Sequence, residues 1–152
     1  MNTKQRVTVV VLSLSASALI GIATHEGYRS DAYTPVKGDV PTIGFGDTHG
    51  VKLGDKTDPV RALIKLGDHV HRFEGKLRNC IGDVPMFQHE WDAVVSWAYN
   101  VGPGAACSST LVRKLQARDY YGACAELLRW TKFNGKDLPG LVARRREEYA
   151  LC

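Results

Sequence analysis

Residues 26–46 read EGYRSDAYTPVKGDVPTIGFG, and this stretch decides the fold. Glu26 opens it. Asp31 and Asp39 follow, then Thr42 and the run Gly44-Phe45-Gly46. Just before it lies an uncharged, largely apolar run from Val7 to Thr24, behind Lys4 and Arg6. An acid therefore stands at the foot of a hydrophobic segment, ahead of a polar, glycine-rich stretch. Gly38-Asp39 is a strong turn signal. The pieces PTIGFG and GVKLG are β-prone, so residues 26–57 predict a small β-hairpin region.

Helices follow. Asp58 is a helix N-cap with Pro59 in the first helical position. Val60, Leu63, Ile64, Gly67, Val70 and Leu77 recur at helical spacing, which predicts a helix over 58–79, weakened by Gly67 and Gly75. Phe87, Trp91, Val94, Val95, Ala98 and Tyr99 predict a buried helix ending at NVGPG. Three more helices fit SSTLVRKLQA (capped by Ser108 or Ser109), YYGACAELLRW, and LPGLVARRREEYALC with Pro139 near its start. The fold class is α+β, a small β lobe and a larger helical lobe with a cleft expected between them.

The chain has 152 residues and is 44% hydrophobic, enough for one domain with a real core. A net charge of +4 favours anionic partners without choosing among them. Arg144-Arg145-Arg146 is followed at once by Glu147-Glu148, which reads as the solvated face of an amphipathic helix rather than a nucleic-acid patch. No zinc-finger spacing or stacking-aromatic RNA motif is present, so no nucleic-acid partner is expected. Cys80, Cys107, Cys124 and Cys152 form no CxxC pair and have no histidine at metal spacing, so neither a metal nor a cofactor is expected. An even count fits two disulfides in an oxidising compartment, or four buried thiols in a reducing one.

The N-terminus bears on that choice. As a helix, the 18 residues from Val7 to Thr24 would span about 27 Å, barely the hydrocarbon thickness. The front half is strongly apolar; the back half, SASALIGIAT, is diluted by Ser, Ala and Gly. A cleavable signal, a permanent anchor, an anchor that can leave the membrane, and a buried helix all compete. The basic flank and the polar dilution together favour the reversible anchor. The expected organisation is an N-terminal targeting segment, 1–24, and a catalytic domain, 25–152.

A carboxyl at the end of a hydrophobic helix is expected to be partly desolvated, which raises its pKa towards that of a general acid. An Asp and a Thr on an adjacent hairpin can hold and activate a water. One protonated and one ionised carboxyl are the minimum for glycosidic hydrolysis. The bland alternative is a set of solvated loop acids.

The stretch EGYRSDAY…GDVPTIGFG resembles the phage lysozyme family, glycoside hydrolase family 24, through Glu26, Tyr33, Thr42, Ile43, Gly44, Phe45 and Gly46. The segments AYNVGPGAACSSTLVRKL, GACAELLRW and GLVARRREEY look like that family's helical lobe, so the resemblance covers about 22–152. With the N-terminus, it is similar to signal-anchor-release endolysins. The resemblance implies a lysozyme-like fold and a muramidase that hydrolyses the β-1,4 bond between N-acetylmuramic acid and N-acetylglucosamine in peptidoglycan, for host lysis. It implies Glu26 as proton donor, Thr42 beneath the sugar, Asn100 as a substrate contact, and Arg145 beside it, with Arg144 or Arg145 pairing with Glu26. It also implies a soluble monomer, held first at the inner membrane facing the periplasm and then released. By position in that fold, the disulfides would be Cys80–Cys107 and Cys124–Cys152.

The aspartate departs from the pattern. The family places it nine residues after the Glu, and here that position is Pro35. Asp39 is the substitute base, Asp31 its rival, and a base-free reaction the third option. The histidine usual after Gly-aromatic-Gly is replaced by Asp47. A lytic transglycosylase, which needs only the acid, and a wall-binding relative without catalysis are therefore the alternatives.

Overall fold

The computed structural model describes residues 5–152. In chain order its elements begin with β1 (Val7–Thr8), a 3-10 turn (Val9–Val11), α1 (Ala16–Glu26), β2 (Arg29–Tyr33), β3 (Thr42–Gly44) and α2 (Pro59–Ile81). Then come β4 (Pro85–Met86), α3 (Gln88–Val101), α4 (Pro103–Cys107), α5 (Thr110–Gln116), α6 (Tyr120–Glu126) and a 3-10 turn (Leu127–Arg129). The chain ends with β5 (Lys132–Phe133), β6 (Lys136–Asp137) and α7 (Pro139–Leu151). The class is α+β, as expected. The chain forms two compact units, Leu19–His71 and the described part of Met1–Ala18 together with Arg72–Cys152.

In the smaller unit β2 and β3 pair antiparallel, Arg29 opposite Gly44 and Tyr33 opposite Thr42. The Asp39 amide donates to the Val36 carbonyl at 2.9 Å, closing the turn expected at Gly38-Asp39. GVKLG forms no strand. Asp55 and Lys52 exchange hydrogen bonds within a local turn, which competes with a ladder. Residues 55–57, just after it, also run beside β2, through Ala32 N to Asp55 O and Thr57 N to Ser30 O. Asp58 caps α2, accepting from Arg61 N at 3.0 Å.

The buried face of α2 is Ala62, Leu66, Val70, Leu77 and Ile81, whereas Val60 and Ile64 are exposed. The helix is therefore turned relative to the face read from its sequence. Apolar residues occupy two adjacent stripes, so periodicity alone leaves the phase open. Gly44 closes it: a Cβ there would stand 2.9 Å from the Ala62 Cβ, and its φ is +62°. Two small residues meet, and β3 lies against the first turns of α2.

In the larger unit α3 is the core. Trp91, Ala93, Val94, Val95, Trp97 and Ala98 are all buried, so this helix is covered nearly all round. Ser109 caps α5 through Val112 N, and Asp119 caps α6 through Gly122 N. The hairpin β5–β6 was not anticipated, although Asn134-Gly135, at φ +50° and +77°, is a strong two-residue hairpin signal.

Residues 7–24 do not form one continuous helix here. Val7 and Thr8 pair with Met86 and Pro85. Val9 and Leu12 are buried, while Val10 and Val11 are each 69% exposed. Ser15 Oγ accepts from Ala18 N at 3.2 Å and caps α1. No helix among the described residues is long and apolar enough to cross a membrane.

Disulfides join Cys80 to Cys107 and Cys124 to Cys152, with Cα separations of 5.6 and 5.8 Å. Each closes a loop of similar length, 27 and 28 residues apart. Chain entropy makes each worth about 3.5 kcal/mol. Replacing Cys124 and Cys152 together by serine is expected to lower unfolding free energy by about 3 kcal/mol, read from denaturant midpoints. The same variant should respond less than wild type to added reductant.

Candidate active site

Gly27, at φ +73°, donates its amide to Ala23 O at 3.1 Å and ends α1. That is the usual role of a glycine just past a helix, and it makes Glu26 the last helical residue. An acid is unfavourable at this end, where the helix exposes its carbonyls, so capping does not explain Glu26. Glu26 is exposed, where the sequence reading anticipated partial desolvation.

The glycines of TIGFG then explain themselves. Ile43 and Asp47 exchange two backbone hydrogen bonds of 2.9 Å and close a tight turn over Gly44-Phe45-Gly46. Both glycines have positive φ. The turn sets Phe45 against Tyr28, ring centroids 5.4 Å apart. A Cβ on Gly46 would lie 3.7 Å from Glu26 Oε2, so the Glu26 carboxylate rests over this turn. Thr42 begins β3; it is buried, and its hydroxyl donates to Val40 O at 3.3 Å.

The two candidate bases differ. Asp39 is exposed on its turn, and its Oδ1 accepts from Val40 N at 2.8 Å. Asp31 lies on β2 and is also exposed. A hydrogen bond from Ser30, and Lys56 at 3.5 Å, hold its carboxyl below the usual range. Asp47, in place of the expected histidine, accepts from His49 N at 3.0 Å and faces His69 Nε2 of α2 at 3.5 Å. An acid on the turn and an imidazole on the helix thus tie the GFG loop to α2. Sequence reasoning missed His69, because nothing in its local pattern marks a partner some twenty residues back. Glu26, Asp39 and Thr42 share the smaller unit; Asn100 and Arg145 belong to the larger.

Asn100 is exposed near the end of α3, and its Oδ1 accepts from Arg145 Nη2 at 2.9 Å. A recess of about 520 Å³ beside it is lined by Trp130, Phe133, Arg129 and Lys132 among others. Arg145, expected beside the substrate, has a side chain that is 0% exposed and reaches the surface only through its hydrogen bond to Asn100. The solvated charged face read from RRREE holds only for Arg146 and Glu147, which are exposed. Arg144, Arg145 and Glu148 are buried together. Glu148 accepts from Ser96 Oγ at 2.8 Å and from Arg144 Nε at 3.2 Å. Arg145 Nε stands 2.8 Å from Glu148 Oε2, an approach whose N–H is not aimed at the oxygen, so its attraction is Coulombic. Burial pushes the Glu148 carboxyl up and the Arg145 guanidinium down, and each charge opposes that shift in the other.

Residues 23–148 match the phage lysozyme family. The chain belongs to the phage lysozyme family. It is 38% identical over 144 residues to an endolysin of Acyrthosiphon pisum secondary endosymbiont phage 1, covering 92% of this chain and 97% of that one. It is 47% identical over 145 residues to the SAR-endolysin of Enterobacteria phage P21, covering 93% and 87%. Among solved structures, an endolysin from Escherichia coli O157:H7 phage FAHEc1 superposes with a TM-score of 0.79 at 33% identity, covering 93% of each chain. A mutant of P22 lysozyme superposes at 0.83 with 28% identity, covering 93% and 98%. The lysozyme-like fold and the disulfide pairing follow the expectation from sequence.

In this phage lysozyme, Arg145→Met is expected to cost about 3 kcal/mol of stability, because Glu148 stays buried with part of its compensation gone. Arg145→Lys should recover little, since one ammonium cannot reproduce the guanidinium geometry towards Asn100 and Glu148. Denaturant unfolding of both variants checks this.

Proposed function

We propose that Glu26 is the general acid with which this phage lysozyme cleaves peptidoglycan between N-acetylmuramic acid and N-acetylglucosamine. The observation that carries the reading is the Glu26 carboxylate resting over Gly46, in the turn that follows Thr42. The acid stands at the end of a helix where the exposed carbonyls disfavour it, so helix capping does not account for its place beside this turn.

The protonated Glu26 gives its proton to the glycosidic oxygen as the bond breaks. Positive charge develops at the anomeric carbon. A water attacks there, and its proton passes to a carboxylate. Asp39 is that carboxylate in our reading, because its turn leads directly into Thr42, which orients the water. The exposed Asn100 contacts the glycan, and the recess beside it, with two cations and two aromatic rings, suits an anionic wall polymer. Pro35, at the family's aspartate position, keeps a lytic transglycosylase as the second reading, since that reaction needs only the acid.

Glu26→Gln is expected to reduce lysis of permeabilised Gram-negative cells at least a thousandfold, on the order of a lost general acid plus positioning. Asp39→Asn should reduce it about a hundredfold or more. Turbidity loss measures both. Near-full activity of Asp39→Asn removes Asp39 from the mechanism, and a 1,6-anhydro product end selects the transglycosylase.

Residues 7–24 are further read as a reversible membrane anchor. Val7, Val10, Val11 and Ile20 are exposed in the folded chain, so their apolar character serves no core. The relatives from phages P21 and phiKMV are named SAR-endolysins. Held in a bilayer, these residues would need a helix longer than the 11 residues of α1. Ser17→Leu with Gly21→Leu, both exposed positions, should keep the protein in the membrane fraction and delay lysis. A fully soluble, active double variant would sink this reading.

A further inference from the structure

The larger unit carries charged groups with little exposure that the reaction does not use: Glu74, Glu90 and Asp92, with Arg78 beside them. Each meets the same short stretch, residues 6–15. Arg6 lays its fork on Glu90, Nη2 to Oε1 at 2.7 Å and Nε to Oε2 at 3.1 Å. Its guanidinium lies over Tyr120 at 3.8 Å and over Phe87 at 4.4 Å. Arg78 donates to the carbonyls of Val9 and Leu12. Glu74 Oε1 accepts from Leu14 N at 2.6 Å. Asp92 takes both donors of Ser15, the amide at 2.9 Å and the hydroxyl at 2.7 Å. Gln88 adds a bond to Ser13 O at 2.7 Å.

These partners read backbone, not side chains, between Val9 and Leu14. The valines at 10 and 11 point away into solvent, and only Val9 and Leu12 are buried. A bilayer satisfies the same amides and carbonyls by winding them into a helix. Here side chains satisfy several of them in a segment that runs as a short strand, a 3-10 turn and coil. The segment therefore has two mutually exclusive ways to satisfy its backbone.

We propose that Glu74, Glu90, Asp92 and Arg78 form a receiving site that captures residues 6–15 when they leave the membrane, and so drive release of the anchor. The proposal rests on the reading of residues 7–24 as a reversible anchor. Without the segment, the contacts left to Glu90 include Phe87 N, and those left to Asp92 include Gln88 Nε2. Capture supplies charge-assisted bonds to both. The acids are the clean probes, because they lie outside the segment and leave its hydrophobicity and basic flank unchanged.

The test uses the full chain, expressed in Gram-negative cells and fractionated into membrane and soluble protein before and after depolarisation with a protonophore. Glu90→Gln and Asp92→Asn should each lower the ratio of released to membrane-held protein about tenfold or more. Wall-cleaving activity per released molecule should be unchanged. An unaltered ratio in both variants overturns the proposal. In the unaltered soluble protein, the amides of Leu14 and Ser15 should be protected from hydrogen exchange, and exchange at the free-chain rate overturns it even if the variants fail to fold. A wild-type chain that is never membrane-held defeats the anchor reading and the release step with it. Protection at Leu14 and Ser15 would still support the receiving site in that case, so the two failures are told apart.

Discussion

The Glu74 carboxylate is the point on which the larger unit turns. It is 2% exposed, and one oxygen, Oε1, accepts both the Trp91 indole N–H at 2.8 Å and the Leu14 amide at 2.6 Å. A buried charge is tolerated only when hydrogen-bonded and paired. Trp91 belongs to the most deeply covered helix, and Leu14 to the N-terminal segment. One acid thus joins the core to a stretch that reads, in isolation, as a membrane helix. Arg78 extends the arrangement by facing Glu74 at 3.7 Å while donating to the backbone of the same segment.

The second buried cluster uses the same rule for another end. Glu148 lies one helical turn on from both Arg144 and Arg145, and Ser96 of α3 completes the set. Desolvation opposes every charge in it, and only mutual pairing makes the set tolerable. Its outward product is a fixed Asn100. In the smaller unit glycines shape the site: Gly27 ends α1 at Glu26, Gly44 lets β3 approach Ala62, and Gly46, at φ +86°, turns the loop beside the Glu26 carboxylate.

Much of this was legible in the sequence. Asp58-Pro59 marked the start of α2, the spacing from Phe87 to Tyr99 marked α3, and EG followed by TIGFG marked the site stretch. Their signals are local: a cap, a period, a glycine. Three of the features read wrongly or missed share one cause. The phase of α2 depended on where Gly44 meets the helix. The burial of Arg144, Arg145 and Glu148 depended on Ser96, some fifty residues away. His69 acquired a role only because Asp47 folds back onto its helix. Each depends on a partner distant in the chain, which no local pattern carries.

The N-terminal segment divides the two kinds of information most sharply. Sequence by itself determined its composition: a basic flank, an apolar front, a small-residue back and no charge between. That composition suits a bilayer because it removes every charge, the groups that hydrocarbon rejects most strongly. Tertiary structure alone decided that the same residues become a strand, a turn and a short helix. Glu74, Arg78, Gln88 and Asp92 on α2 and α3 supply backbone hydrogen bonds that a membrane helix would have to make for itself. The hydropathy of a segment reports its tolerance for lipid. Its conformation is set by whichever surroundings satisfy its backbone.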